Sequence, residues 1–241
     1  DHPLVVVNCT FFSFATNRNL STVVKDGKLV GFNVPVKGVG KDSISTYYYF
    51  KSAIGIFKNR KADIAWLLTD SAGQNPVGFQ FPVKRIEWGR IEPNFLFTYN
   101  DSIYNFSSKK LKSITDHRWK PVTAIGGGPV LLQNNRIMIT NEEERMFTGN
   151  AINDKHPRTA MGYTKDQKLI ILVIQGRLPG IAEGATLNQE AKLLQELGCW
   201  EALNLDGGGS SCLLINGKET IKPSDKEGQR AVPAVFIIKN K

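Results

Sequence analysis

Three times in this chain two β-rich runs close around a two-residue polar turn. Val23-Val24-Lys25 and Lys28-Leu29-Val30 flank Asp26-Gly27, Val130 to Gln133 and Arg136 to Ile139 flank Asn134-Asn135, and Cys212 to Ile215 and Lys218 to Ile221 flank Asn216-Gly217. Turns this short join antiparallel strands, because only their left-handed backbone matches the strand twist, and Asn, Asp and Gly tolerate that backbone best. An internal echo extends the pattern: Lys51 to Lys61 lines up with Arg158 to Lys168, and each copy runs on into an apolar strand, Ile64 to Leu68 and Leu169 to Ile174. The echo predicts a pseudo-symmetric pair of hairpins inside one sheet system.

One helix is legible. Thr186 and Gln189 form a capping box, Leu187, Ala191, Leu194 and Leu197 share a face at helical spacing, and Gly198 supplies a left-handed stop. The spacing predicts a helix over 187–197 that buries its leucines and feeds a strand over 200–205. A shorter helix is expected near 141–146. Residues 71–120 carry isolated aromatics among Pro, Asn and Ser and no readable period. No composition break divides the chain, so residues 1–241 are expected to form a single domain. The fold class expected is α+β: a mixed, largely antiparallel sheet system built from hairpins, with a few packed helices.

Length and the 41% hydrophobic content suit an ordinary globular core. No run of eighteen apolar residues occurs, so no membrane-spanning helix is expected. Lys and Arg outnumber Asp and Glu, 31 to 22, which favours anionic partners. The densest basic cluster, Lys109, Lys110 and Lys112, reads as a solvated face, and no basic stripe with interleaved aromatics points to nucleic acid. Cys9, Cys199 and Cys212 make neither a disulfide framework nor a metal spacing. With three histidines, no H-x-x-H pair and no carboxylate cluster, neither a catalytic metal nor another cofactor is expected.

The chemistry concentrates in Asp206-Gly207-Gly208-Gly209-Ser210-Ser211 at the carboxyl end of the strand that follows the helix. It is no Walker loop, lacking the Lys, and no nucleophile elbow, lacking a glycine two residues after Ser210. Two readings stay open. The turn can be a simple loop whose Asp caps it, or a nest whose glycines let a bulky anion approach backbone N–H groups while Asp206 orients a hydroxyl or activates water. Arg158 and His156, in His156-Pro157-Arg158-Thr159-Ala160-Met161-Gly162, read on their own as a surface ion pair and a loop residue.

Taken together, these pieces resemble the phosphodiester glycosidase family. The string Asn204-Leu205-Asp206 with its glycines and serines, then an apolar strand, Asn216-Gly217 and Gln229-Arg230-Ala231-Val232-Pro233, is similar to that family's signature. Asn8-Cys9-Thr10-Phe11-Phe12 resembles its opening motif, Gly126-Gly127-Gly128-Pro129 its central glycine-proline strand, His156 to Gly162 its arginine motif, and Gln175-Gly176-Arg177 with Gly184, Thr186 and Leu187 the segment before its helix. The chain departs from the family at Cys9 and Thr10, where two glycines are usual, at Gln175, where many relatives carry Asp, and at Ile181-Ala182, where bacterial relatives often carry Tyr-Ser. Relatives usually carry strands before the opening motif, so an N-terminal portion of the domain is expected to lie outside these residues.

The resemblance implies a hydrolase that splits the bond between the anomeric carbon of an N-acetylglucosamine-like sugar and a phosphodiester oxygen, without a metal. It implies catalytic roles for Asp206, Arg158 and Arg230, with the two arginines converging on one phosphate. It implies substrate contacts from Asn8, Gly127, Gly128, Thr159, Arg177, Gly207, Gly208 and Ser210. In this picture Gly207 and Gly208 lend backbone donors, and side chains at 207–209 would fill the space the ligand needs. The partner expected is a sugar phosphodiester or phosphorylated glycan, of the kind met by bacterial exopolysaccharide-associated relatives, at a secreted, periplasmic or cell-surface location. The competing reading is a non-catalytic carbohydrate or wall-polymer binding domain that kept the pocket, motivated by Cys9, Thr10 and Gln175. The oligomeric state is left open.

Overall fold

The turn residues adopt the backbone their identities suggest: φ is 52° and 73° at Asp26-Gly27, 53° and 60° at Asn134-Asn135, and 52° and 76° at Asn216-Gly217. The computed structural model describes residues 2–34, 36–37, 46–47, 50–69, 75–86, 96–99, 102–105 and 119–240. The lysine cluster at 109–112 and much of 71–120 lie outside them.

In chain order the strands are β1 (Val5–Asn8), β2 (Val23–Lys25), β3 (Lys28–Gly31), β4 (Val36–Lys37), β5 (Thr46–Tyr47), β6 (Lys51–Ile56), β7 (Ala62–Leu68), β8 (Val77–Phe79), β9 (Lys84–Ile86), β10 (Leu96–Tyr99), β11 (Ser102–Asn105), β12 (Thr123–Gly126), β13 (Val130–Gln133), β14 (Arg136–Ile137), β15 (Arg158–Thr164), β16 (Leu169–Ile174), β17 (Cys199–Asn204), β18 (Leu213–Ile215), β19 (Lys218–Glu219) and β20 (Val235–Ile238). Two α-helices accompany them, α1 (Asn141–Glu144) and α2 (Leu187–Glu196). The described residues are therefore mainly β, built of the antiparallel hairpins expected, and the α+β label fits them only loosely. Helical signals were read correctly, but among the described residues only two α-helices form, and one of them is a single turn.

A six-stranded sheet runs β3-β2-β12-β6-β7-β8, a five-stranded sheet β14-β13-β17-β15-β16, and a four-stranded sheet β19-β18-β1-β20; smaller sheets run β11-β10-β9 and β4-β5. The echoed hairpins are β6-β7 and β15-β16, and they fall in different sheets. They face each other across one core in which Ile54 and Trp66 of the first sheet meet Met161, Tyr163 and Leu203 of the second, with Val7 of β1 closing the end. Helix α2 covers the other face of the five-stranded sheet, burying Leu187, Ala191 and Leu194 against Leu131, Ala160 and Ala202. Strand β15 is thus covered on both faces, which is why its sequence does not alternate.

The capping box forms as read, with Thr186 Oγ1 accepting from the Gln189 N–H and Gln189 Oε1 accepting from the Thr186 N–H. Gly198 takes φ +82° just past the helix. Leu197 corrects the expected buried face: it caps the helix and is 51% exposed, because the last turn has run past the sheet.

Glu144, wholly buried at the end of α1, ties the two large sheets together. Its Oε2 accepts from Ser52 N and Ser52 Oγ at 2.8 Å, and its Oε1 from Val130 N at 2.8 Å, Trp66 Nε1 at 3.2 Å and Thr140 Oγ1 at 2.5 Å. A buried carboxylate survives only with such a set of donors. Burial raises its pKa, and the hydrogen bonds pull the other way.

Candidate functional site

Strand β17 ends at Asn204, and the chain turns through Leu205 and Asp206 into a 3₁₀ turn at Gly208–Ser210. The end of β1 grips this turn. The Asp206 N–H donates to the Cys9 carbonyl at 2.9 Å, and Asn8 Nδ2 donates to the Asp206 carbonyl at 2.6 Å. The Asp206 backbone is thereby fixed by a strand from another sheet, and its carboxylate faces a cavity of about 330 Å³.

Arg158, Arg177, Arg230 and His156 line that cavity with Asp206, Asn204 and the three glycines, and Phe11, Phe14 and Phe147 form an aromatic side. Asp206 is the only carboxylate among the described residues that line it. Arg158 enters from the first residue of β15 and is held by carbonyls: Nε donates to Ala185 O at 2.9 Å, and Nη2 to Asp154 O at 3.0 Å and Ala151 O at 3.3 Å. Arg230 pairs with Asp225, Nε to Oδ2 at 2.9 Å and Nη2 to Oδ2 at 2.7 Å, and its guanidinium lies 5.0 Å from the Phe14 ring centre. Arg177, at φ +58°, brings Nη2 to 3.4 Å from His156 Nδ1. Three cations thus share one cavity with one carboxylate, and one of the three is already partnered by Asp225.

Burial raises the Asp206 pKa to about 6, against the Ser210 hydroxyl, the Arg230 charge and the Gly207 N–H, which all favour the ionised form. Burial, then the charges of Arg158 and Arg177, push His156 below its ordinary value, so its imidazole is neutral near pH 7. Behind Arg158, Glu190 of α2 is completely buried, and neither of its oxygens finds a hydrogen-bond partner. Burial raises its pKa to about 8, opposed by Arg158. Glu190 and Arg158 are a buried pair in which burial disfavours both charges and each charge favours the other.

The three glycines line the cavity, and a side chain on any of them would first meet the protein's own groups. A Cβ on Gly207 would lie 2.7 Å from the Pro157 carbonyl, one on Gly208 3.1 Å from Arg177 Nη2, and one on Gly209 would overlap the Asp225–Arg230 ion pair. Nor do Gly207 and Gly208 offer free donors. The Gly208 N–H donates to Pro157 O at 2.8 Å, and the Gly207 N–H is directed at the Asp206 carboxylate.

Five other nominated contacts sit one layer behind the cavity wall. Asn8 is buried with Oδ1 accepting from Thr159 Oγ1 at 2.9 Å and Cys212 N at 3.0 Å, so Asn8 and Thr159 hold the Asp206 turn. Ser210 is buried, its hydroxyl serving Asp206 and lying 3.5 Å from Arg230 Nη1. Gly127 packs against the Asn204 carbonyl; Gly128 accepts from Asn204 Nδ2 at 2.9 Å, and a Cβ there would meet Glu144. Cys9, Thr10 and Gln175 do not line the cavity either. Cys9 and Thr10 are buried, Thr10 bonding Asn19, and Gln175 accepts from the Lys222 N–H at 2.6 Å.

Sequence reasoning passed over Asn204, Phe14, Phe147 and Glu190, and discounted His156. Asn204 carries the one available signal, its place next to the Asp206 turn. Its Oδ1 is buried without a hydrogen-bond partner while the residue lines the cavity. No group of three or more His, Cys, Asp or Glu among the described residues is arranged to hold a metal ion.

The chain belongs to the phosphodiester glycosidase family, whose sequence profile matches residues 68–239. It is 38% identical over 93 residues to the SPbeta prophage-derived uncharacterized protein YomE of Bacillus subtilis (strain 168), covering 39% of this chain and 14% of that protein. It is 30% identical over 112 residues to the mouse N-acetylglucosamine-1-phosphodiester alpha-N-acetylglucosaminidase, covering 43% of this chain and 21% of that protein. The alignments therefore span a small part of either relative. The fold is similar to the catalytic domain of the zebrafish N-acetylglucosamine-1-phosphodiester alpha-N-acetylglucosaminidase, with a TM-score of 0.60 at 22% identity over 99% of this chain and 64% of that one. No helix among the described residues is long and apolar enough to cross a membrane.

Proposed function

We propose that the protein hydrolyses the C1–O bond of a sugar-1-phosphodiester, releasing a free N-acetylglucosamine-like sugar and a phosphate monoester. The observation that carries this reading is a single carboxylate lining one cavity with three arginines. Ordinary glycoside hydrolysis uses two carboxyl groups, one of them an acid for the departing alcohol. A phosphate monoester leaves as a stable anion and needs cations in place of that acid.

In the proposed reaction water adds to C1 as the C1–O bond breaks, and the bonding electrons stay with the phosphate oxygen. Arg158, Arg177 and Arg230 offset the growing negative charge, Arg158 and Arg230 with the N–H groups that their carbonyl and Asp225 partners leave over. Asp206 takes the proton of the water or balances positive charge on the ring, and both roles need it ionised. Asn204 Oδ1 and the neutral His156 are the uncharged partners for sugar hydroxyls. Asn8, Thr159, Ser210, Gly127 and Gly128 act through the groups they hold. The location proposed, outside the cytoplasm, rests on the family resemblance.

The test is incubation with a panel of sugar-1-phosphodiesters, following released reducing sugar. Release from N-acetylglucosamine diesters, and none from simple glycosides, is the result expected. Tight binding of the diesters with no sugar released would replace the hydrolase by a binding domain.

A further inference from the structure

Glu190 shares the buried face of α2 with Leu187, Ala191 and Leu194, where a fourth apolar residue would be expected. Burial without donors is costly for a carboxylate, and around Glu144 the fold supplies donors on both oxygens. Around Glu190 it supplies none; what this residue has instead is one opposite charge, that of Arg158. Helix α2 packs on β13, β14, β15 and β17, whose charged or titratable residues are Arg136, Arg158, Tyr163, Cys199 and Glu201, and of these Arg158 is the one that acts on Glu190. Asp154, from the neighbouring turn, and Arg177 act on Arg158, and Lys192 and Glu196 of α2 itself are exposed.

Arg158 is held in place by neutral groups. Its Nε and Nη2 donate to the carbonyls of Ala185, Asp154 and Ala151, which fix the guanidinium without cancelling its charge, and they leave the two N–H groups of Nη1 unused. In front of this cation lies the cavity, and behind it lies Glu190. One cation therefore has two places for an anion, one open and one sealed inside the fold. Negative charge in both at once is disfavoured, because each anion repels the other across a region of low dielectric.

We infer that Glu190 is the resident counter-charge of Arg158, and that it takes up a proton when an oxyanion enters the cavity and claims the same guanidinium. The coupling is reciprocal: the factor by which the oxyanion favours protonation of Glu190 is the factor by which protonation favours the oxyanion. Where Glu190 holds its proton with the cavity empty, binding is independent of pH; where Glu190 is ionised, binding weakens as pH rises. The other titratable groups of the cavity change charge on the acid side, Asp206 at about 6 and His156 below its ordinary value, so a dependence on the alkaline side belongs to Glu190. This inference rests on the proposed function in one respect, that an oxyanion meets Arg158.

Sulfate is the probe, because it keeps both charges above pH 6 and brings no proton of its own. The parent, Glu190→Gln and Glu190→Met are titrated with sulfate by calorimetry from pH 6.5 to 9.5, at each pH in two buffers of different ionisation heat. The parent is expected to take up a growing fraction of a proton toward the alkaline end and to lose about tenfold in affinity across the range, an ordinary strength for coupling between two sites. Both variants should take up none there and bind sulfate more tightly than the parent at pH 9.5. Glu190→Met brings no polar atom into the helix face, so it carries the test if the Gln amide prevents folding. Equal uptake in parent and variants, no uptake in the parent at any pH, or variants that bind more weakly at every pH would overturn the coupling and leave the hydrolase standing. A parent that binds no sulfate even at pH 6.5 would overturn the arginines as an oxyanion site, and with them both the coupling and the hydrolase reading.

Discussion

Replacing Asp206 by Asn should stabilise the protein while removing its activity. In the folded state burial raises the acid from 3.8 to about 6, although Ser210, Arg230 and Gly207 all favour its ionised form. At about 1.4 kcal/mol per pH unit, ionising Asp206 in the fold at neutral pH costs on the order of 2–3 kcal/mol relative to the unfolded chain. Below pH 4 both states hold the proton and nothing is lost. Between about 4 and 6 the folded state binds more protons than the unfolded one, so stability falls as pH rises, and above 6 the loss is complete. Asn keeps an acceptor for the Ser210 hydroxyl and the Gly207 N–H and has no charge to desolvate. The variant should therefore match the parent near pH 4 and exceed it by roughly 5–10 °C in Tm at pH 7, given about 2–4 °C per kcal/mol for a chain of this length. Turnover should fall by on the order of a hundredfold or more, the range for losing a general base. Thermal melts of both proteins from pH 4 to 7.5, with rates on one cleaved diester, make the test. A Tm difference that does not grow with pH, or a variant less stable than the parent at pH 7, would refute the claim that Asp206 is held ionised against its surroundings.

The same pKa predicts that parental kcat/KM climbs through about pH 6 as Asp206 loses its proton; a profile flat from pH 5 to 7 would remove it as the base. Arg158→Lys keeps the charge but cannot fill the carbonyl cage and present a fork together, so affinity for inorganic phosphate should drop by about tenfold, read by calorimetry, and an unchanged value would count against direct contact. Leu194→Ala, in the buried face of α2, should cost about 2–5 kcal/mol in urea denaturation, and Leu197→Ala, half exposed, well under that; equal costs would contradict the packing. Gly208→Ala and Gly217→Ala both force alanine to positive φ, at about 1–2 kcal/mol each, but only position 208 meets Arg177. Only Gly208→Ala should raise KM, and a matching rise at 217 would dismiss the Arg177 contact.

Local rules carried the sequence reading as far as local physics acts. The Asp26-Gly27, Asn134-Asn135 and Asn216-Gly217 turns and the Thr186 box follow from the conformational preferences of a few adjacent residues, and they were legible. Leu197 was misread because helical spacing tells which residues share a face and not where the facing sheet ends. The echoed hairpins were recognisable, but their division between two sheets depends on long-range pairings that no window of sequence contains. At the site, motif spacing led to Asp206 and the arginines, which line one cavity. It could not separate groups at the wall from those behind it, so Asn8, Thr159 and Ser210 were nominated as ligand contacts when they position the turn. The glycines are a related case. A missing side chain shows that room is needed, not what takes it, and here Arg177 and the Asp225–Arg230 pair take it. Phe14 and Glu190 belong to no motif and became visible only through their surroundings.

The place of β1 has a consequence for how the chain reaches this state. Val5 pairs with Ile215 on one side and Ile238 on the other, and the Asp206 turn hangs from Asn8 and Cys9. Both neighbours of the first strand come from the last part of the chain. At ribosomal speeds of about 5–20 residues per second, β1 waits on the order of 10–50 s for its partners, an apolar Val5-Val6-Val7 ribbon with two open edges. Until β18 and β20 close on it, the Asp206 turn lacks its fixed support, so the assembled cavity needs strands from both ends of this stretch of chain, and the waiting ribbon is where a holdase chaperone would find its grip.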